Sequence, residues 1–513
     1  MADSKKYIRF LLEQKNIVIA EKRNQLFEAF ANEEENAAAV NIIYENQKML
    51  MDKWILKNRI HDVLDKQIII PNATVNKKYE AALDFIKMGL NDLIVVEFEN
   101  LEQYGLVYDD ETIKGIPLQS GDFKILMKFK VEGEDEAEPL HEKRISLVIN
   151  ADPKSLWKNI PSTKTDTNFW KPDDVSETAT LGDRHIVVSS KRGRSHANVG
   201  SFRDDDYAFK HFENTGWNIV CVADGAGSAP LARQGSKIAC DEIVRFFEEK
   251  LDAETDKNFT EIITAYHTLN SGDEKVAKKT IEEVISEDTE AGIVVDENGN
   301  LKEVAEPATE EPKNELEEIQ KKITLLLYNN LGKAAFAAHK KLEAFAAAQV
   351  CPLKELHSTL IFALYKKYEF GYAIFTFGVG DCPIGLLNED CTEIKLMNWL
   401  DVGEFGGGTR FITMPEIFSS DKFTTRFGFK LIENFSFLIL MTDGIYDPKF
   451  VVEASLEKIE KWNEFLADLA GNNEEKITVN FSKDNTEIAN QLSAWMDFWS
   501  PGNHDDRTLA IVF

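Results

Sequence analysis

Between Lys5 and Asp65 apolar residues recur at three- and four-residue spacing (Ile8, Leu11 and Leu12, then Leu26, Phe27 and Phe30, then Leu50, Trp54 and Ile55), and no Pro or Gly interrupts them. This pattern predicts two or three amphipathic helices in residues 1–66. They form either a helical hairpin that packs on its neighbour or a helix that docks a partner. At Pro71 the texture changes to short β-rich runs, DLIVVEF, GDFKILMKFKV and RISLVIN among them, punctuated by Asn, Gly and Asp. An all-β sandwich over 67–150 is expected. Residues 151–178 hold Pro, Trp157 and Trp170 without periodicity, which reads as an extended linker whose two indoles pin it against a flanking domain.

From 179 to 513 apolar runs alternate with longer helical patterns. Strands are expected at 185–189, 206–210, 217–223, 359–364, 372–379, 384–387, 436–442 and 509–513, and helices at 232–251, 316–349, 453–469 and 486–498. Several strands adjoin with no helix between them, which favours an α+β fold of two antiparallel β-sheets flanked by helices over a doubly wound parallel sheet. An acidic segment at about 252–312 interrupts this domain. Within it, GIVVDENGNLKEVAE suggests a hairpin turning at Asn298-Gly299; otherwise the segment is a mobile insert.

Composition narrows the function classes. Lys and Arg number 59 against 88 Asp and Glu, a net charge of −29 that repels nucleic-acid backbones and anionic lipid surfaces. No run of apolar residues reaches membrane-spanning length, so a soluble, cytoplasmic protein is expected. The 5 cysteines show no metal-ligand spacing and read as reduced core residues.

The candidate chemistry lies in aspartates at the ends of apolar runs. Asp206 opens DYAF, Asp224 closes WNIVCVA and precedes Gly225, Asp381 follows YAIFTFGVG, Asp443 closes FLILMT, and Asp505 precedes RTLAIVF by one residue. Carboxylates gathered at one sheet rim repel one another and resist desolvation, and a hard cation such as magnesium or manganese compensates them. Taken singly, each Asp is as well explained by a turn or a helix cap.

Taken together, ADGAGSA (223–229), ST (358–359), GVGD (378–381), MTDG (441–444) and DDRTLAIV (505–512) occur in the order found in the metal-dependent type 2C protein phosphatases, the PPM family. From 179 to 513 the chain closely resembles a bacterial branch of that family. The resemblance implies hydrolysis of phosphoserine and phosphothreonine with two manganese or magnesium ions clamping a water between them. It implies that Asp224 bridges both ions, that the Gly225 carbonyl serves the second, and that Asp443 and Asp505 serve the first. Asp205 and Asp206 match the acidic pair ahead of the first long strand, Asp381 the aspartate of a weaker third site, and Thr359 a supporting position. DVGEFGGGTRFIT (401–413) corresponds to a flap near the active site. The resemblance further implies a phosphoprotein substrate, a cognate Ser/Thr kinase or that kinase's targets. In the N-terminal region, Gly105, Leu106, Asp109, Ile113, Gly115, Pro117, Gly121 and Phe123 resemble the Ig-like repeats of the cadherin-like and dystroglycan-like group, which supports the sandwich fold and names no ligand; separately, residues 1–150 are expected to dock the chain on a protein partner.

Two positions depart from the phosphatase pattern. Ala226 stands where many members carry a His regarded as a general acid, and no Arg lies four or five positions ahead of Asp205. KRGRSHANVG resembles a G-x-SH signature of the bacterial branch, so Arg194 is the candidate for phosphate binding and His196 for proton transfer. The departures leave open a pseudophosphatase that binds without turnover, and the same metal site would also suit small phosphoesters.

Overall fold

The computed structural model describes residues 4–164, 169–271, 315–401, 408–419 and 421–513. The chain divides into two compact units, Met1–Leu156 and Trp157–Phe513.

The first unit begins with α1 (Ser4–Gln14), α2 (Asn24–Asn32) and the long α3 (Glu34–Asp65). Ile8, Phe27, Ala31 and Val40 bury against one another, as the helical spacing predicts. The same spacing fails at Leu26, Leu50, Trp54 and Ile55, which are 66%, 64%, 67% and 64% exposed. Seven strands follow: β1 (Ala73–Thr74), β2 (Tyr79–Ala82), β3 (Leu93–Glu99), β4 (Leu106–Asp109), β5 (Thr112–Gly115), β6 (Gly121–Val131) and β7 (His141–Asn150). They make a four-stranded sheet, β1-β7-β6-β3, and a three-stranded one, β2-β5-β4. Ile113 from the small sheet and Ile125, Met127, Phe129 and Leu147 from the large one share a core with Val63 of α3.

The second unit holds β8 (Asp174–Leu181), β9 (Arg184–Lys191), α4 (Arg194–Val199), β10 (Asp206–Phe212), β11 (Trp217–Ala223), α5 (Ala232–Lys250), α6 (Ala253–Ser271), α7 (Glu315–Leu327) and α8 (Lys333–Gln349). It continues with β12 (Leu360–Tyr368), β13 (Gly371–Val379), β14 (Ile384–Asn388), β15 (Ile394–Leu396), β16 (Phe427–Ile432), β17 (Phe435–Met441), α9 (Asp443–Phe450), α10 (Ile459–Leu469), α11 (Ile488–Trp495) and β18 (Arg507–Val512). Two antiparallel sheets result, β10-β11-β12-β13-β16 and β15-β14-β17-β18-β9-β8. The expected α+β sandwich is therefore the architecture.

Strand alternation builds three layers of core. Val220, Val222, Ile361, Ile374, Leu438, Leu440, Ala510 and Val512 meet between the sheets. The intervening residues of the five-stranded sheet, Ile219, Cys221, Phe362, Phe375 and Phe377, pack outward in one core with Cys240, Phe259, Ile323 and Leu342 of α5 to α8. Ile439, Met441, Leu509 and Ile511 do the same on the six-stranded sheet with Trp462, Leu492 and Trp495. All cysteines are free thiols, and burial pushes Cys221, Cys240 and Cys382 well above the ordinary thiol range.

Two boundaries are corrected. Residues 174–178, read as linker, begin β8, an edge strand whose Ser, Thr and Glu carry little apolar signal. Residues 253–271, read as the start of the acidic insert, form α6, which buries Phe259 and Ile263 one turn apart and accepts the Trp217 indole N–H at Asp256 (2.8 Å). The Asn298-Gly299 hairpin lies outside the described residues. Both linker indoles are partly buried within the second unit, Trp157 against the His504 ring (4.2 Å) and Trp170 donating to Ser162 Oγ (3.2 Å). No helix among the described residues is long and apolar enough to cross a membrane.

Candidate metal centre

The carboxylates gather where the inter-sheet layer reaches one rim of the sandwich. Val220 and Val222 face the opposite sheet, so the same alternation turns Asp224 inward just beyond β11. Its backbone is clamped: Asp224 N–H donates to Thr359 Oγ1 (2.9 Å) and Thr359 N–H returns a bond to the Asp224 carbonyl (2.8 Å). Burial, then the charges of Asp443, Asp205, Asp505 and Asp381, push the Asp224 carboxyl well above the carboxylate range. Asp443, at the first turn of α9, is raised by burial and by Asp505, Asp381 and Asp205. Asp381 is raised by burial despite the hydroxyl of Thr409, which donates to its Oδ2 (2.8 Å) from the expected flap segment. Gly406 and Gly407 of that segment lie outside the described residues.

Asp205 is 1% exposed, and its Oδ2 accepts bonds from Thr442 Oγ1 (2.9 Å) and Thr508 Oγ1 (2.8 Å), one from each of two neighbouring strand ends. Burial and Asp506 push it up to about 7. Asp206 goes the other way. Alternation sends it to the helix-covered face of β10, where Lys171 Nζ ion-pairs with its Oδ2 (3.1 Å) and Cys240 Sγ contacts its carbonyl. Asp206 of the expected pair is thus turned away from the rim, which corrects that assignment; Asp205 pairs instead with its other neighbour, Asp204, whose Oδ2 lies 3.7 Å from His196 Nε2. Asp204, buried beside Asp506, is likewise pushed up to about 7.

A second group forms around His196 on α4. Its Nδ1 lies 3.0 and 3.1 Å from the Asp506 carboxylate oxygens, and its Nε2 lies 3.7 Å from Asp204 Oδ2. Burial opposes protonation of this imidazole, but Asp506, Asp204 and Asp505 outweigh it and raise His196 to about 9. Burial acts to raise Asp506, yet the His196 partner and the N–H groups of Gly193 (2.5 Å) and Asp204 hold it below the ordinary range. Gly193 is required there, because a Cβ would stand 2.3 Å from the Asp505 carbonyl carbon. Asp505 is raised by burial and by Asp506. Ligand atoms of His196, Asp505 and Asp506 lie within 4.8 Å of one another, as do those of Asp224, Asp381 and Cys382.

Arg194 is placed elsewhere. Its Nη2 donates to the Asp497 carbonyl (2.7 Å) and its guanidinium lies 5.3 Å over the Trp499 ring. Arg203 is buried on Ser190 Oγ and the Pro172 carbonyl. Arg233, whose pKa burial lowers although Asp204 opposes the shift, donates to the carbonyls of Phe169 (3.0 Å) and Pro230 (2.8 Å). Gly225 packs on the acidic pair so closely that a Cβ there would meet the Asp204 carbonyl oxygen at 2.5 Å.

The donor set fits a hard divalent cation. Asp205 Oδ1, Asp381 Oδ1 and Asp443 Oδ1 are buried oxygens that accept no hydrogen bond among the described residues, and carboxylates stripped of water need a compensating charge. Sequence reasoning missed Asp204, Asp506 and the Thr442 and Thr508 hydroxyls. The period-2 spacing of Asp506, Thr508, Ala510 and Val512 carried the signal, since Ala510 and Val512 are inter-sheet residues.

No curated protein matches the chain. Among solved structures, a bacterial serine phosphatase is similar at 13% identity, covering 64% of this chain and 96% of its own, with a TM-score of 0.32. A serine/threonine phosphatase of S. agalactiae is similar at 12% identity, covering 64% of this chain and 99% of its own, with a TM-score of 0.32. For the serine/threonine phosphatase Stp1 of Staphylococcus aureus the values are 11%, 69%, 96% and 0.30. The model of the protein phosphatase 2C family matches residues 192–497, and the chain belongs to that family.

Proposed function

We propose that the chain is a protein serine/threonine phosphatase that hydrolyses phosphoserine and phosphothreonine with manganese or magnesium. The observation that carries this reading is the group of mutually repelling carboxylates Asp205, Asp224, Asp381, Asp443 and Asp505, with three buried oxygens that lack partners. In this reading Asp224 would serve both ions and the Gly225 carbonyl the second, Asp443 and Asp505 would serve the first, Asp204 and Asp205 would flank the second, and Asp381 would belong to a weaker third. Bound there, divalent ions would supply Lewis acidity, which would lower the pKa of a water toward neutrality and offset the charge of the phosphoryl oxygens. The chain's residues do the rest. Thr359 fixes the direction of Asp224, and Thr442 and Thr508 fix that of Asp205.

His196 is the proton donor to the leaving serine or threonine oxygen in this proposal. Family members that place a His after the bridging Asp-Gly have the group on the loop where Ala226 stands here. His196 reaches the same loop from α4, its Nε2 3.7 Å from where a Cβ on Gly227 would stand, while Asp506 engages Nδ1. Arg194 would meet phosphate only by leaving the Asp497 carbonyl. That engagement favours a second reading, a binding module without turnover. The exposed apolar side chains of α2 and α3 support a docking role for the N-terminal unit, with a phosphoprotein, a Ser/Thr kinase among the candidates, as the partner.

The test is p-nitrophenyl phosphate and phosphopeptide hydrolysis with added manganese, on the wild type and on Asp443→Asn. Turnover that needs manganese and falls by at least about 100-fold in the variant supports the phosphatase. A folded wild type without turnover supports the binding module, and activity on small esters alone points to a non-protein substrate.

A further inference from the structure

The acidic pair rests on a lysine from outside the matched family region. Lys171 belongs to the segment 169–173, ahead of residues 192–497, and is 6% exposed. Its ammonium donates to the Asp205 carbonyl at 2.5 Å and to Asp206 Oδ2 at 3.1 Å, with the Arg233 carbonyl at 3.3 Å and Ser236 Oγ at 3.5 Å. Ser236 in turn donates to the Asp204 carbonyl at 2.5 Å. Both backbone carbonyls of the acidic pair are thus hydrogen-bonded, that of Asp205 to Lys171 and that of Asp204 to Ser236.

The rest of the segment is fastened to the same region. The Phe169 carbonyl accepts from Arg233 (3.0 Å), the Pro172 carbonyl from Arg203 (3.2 Å), and the Asp173 carbonyl from the Arg192 N–H (2.7 Å). A buried ammonium is costly to desolvate, and a counter-ion for Asp206 alone would need one contact. Here the shortest contact is to a backbone oxygen, at the residue whose side chain faces the opposite way, into the rim.

We propose that Lys171 is a positioning residue of the metal centre, which fixes the backbone at Asp205 and so the aim of the Asp204 and Asp205 carboxylates. The inference rests on the reading that these carboxylates bind metal. It makes the segment 169–173, which precedes the matched family region, part of the site.

The experiment is a calorimetric manganese titration of the full-length chain as wild type, Lys171→Met and the double variant Lys171→Met with Asp206→Asn, with Tm measured in parallel. Lys171→Met leaves the Asp206 carboxylate buried without its cation and the Asp205 carbonyl without its donor, so both Tm and manganese affinity fall. The double variant removes the stranded charge, so Tm recovers, but Asp205 is still not held; manganese binding stays about 10- to 100-fold weaker than in the wild type, the range for residues that orient metal ligands. Recovery of affinity together with Tm, or affinity unchanged in either variant, overturns the proposal and leaves Lys171 as a counter-ion. A folded wild type that binds no manganese refutes the metal reading itself, a result separate from any difference among the variants. The double variant keeps the test decisive if Lys171→Met does not fold.

Discussion

Substituting Gly225 by Ala separates the geometry of the metal centre from its chemistry, because it adds one methyl group and removes no ligand. The Cβ would stand 2.5 Å from the Asp204 carbonyl oxygen and 3.0 Å from its carbonyl carbon and Cβ. Carbon and oxygen do not sit closer than about 3.0 Å, so the Asp204 backbone has to retreat by about half an ångström. That carbonyl also accepts the Ser236 hydroxyl, so the retreat strains a hydrogen bond worth about 1 kcal/mol. Overpacking of a tight contact adds about 1–3 kcal/mol. The sum, about 2–4 kcal/mol, corresponds to a fall of about 3–5 °C in Tm for a unit as large as Trp157–Phe513. The same movement carries Asp204 and Asp205 away from Asp224, and manganese affinity should drop about 10- to 100-fold. Gly227→Ala in the same loop is the control, since its Cβ meets only His196 Nε2, at an ordinary 3.7 Å. Thermal melts and manganese calorimetry on both variants decide the matter. Equal melting temperatures and equal affinities in Gly225→Ala and Gly227→Ala would refute the reasoning.

Protonation supplies a second prediction. Burial with Asp506 beside them pushes Asp204 and Asp205 up to about 7, whereas an unfolded chain ionises its aspartates near 4, so metal-free stability should fall as pH rises from about 4 to about 7. Manganese binds the ionised carboxylates, so its effect on Tm should be larger at about pH 7.5 than at about pH 5.5, and an equal effect at both would contradict the assignment. For His196→Gln, phosphopeptide turnover should fall about 100- to 10,000-fold, while p-nitrophenyl phosphate, whose leaving group departs without a proton, loses far less. Equal losses on both substrates would remove His196 from proton transfer and leave it a partner of Asp506.

The extent to which this chain could be read without its structure follows from what each signal depends on. Runs such as WNIVCVA and YAIFTFGV are buried on both faces, and burial on both faces writes itself into composition; β11 at Trp217–Ala223 and β13 at Gly371–Val379 follow directly. β8 is an edge strand with a polar face and α6 is amphipathic within an acidic stretch, so each depends on a neighbour that composition does not name. At the site, aspartates at strand ends were legible because charge beside an apolar run is costly unless compensated. In the run Asp204, Asp205, Asp206 three identical residues are chemically equal, and only the pairing of Asp206 with Ala223 fixes which of them looks between the sheets and which looks toward Lys171. A one-residue step along a strand reverses the face, so the local sequence determined that an acidic rim would exist, and the tertiary register decided which oxygens compose it.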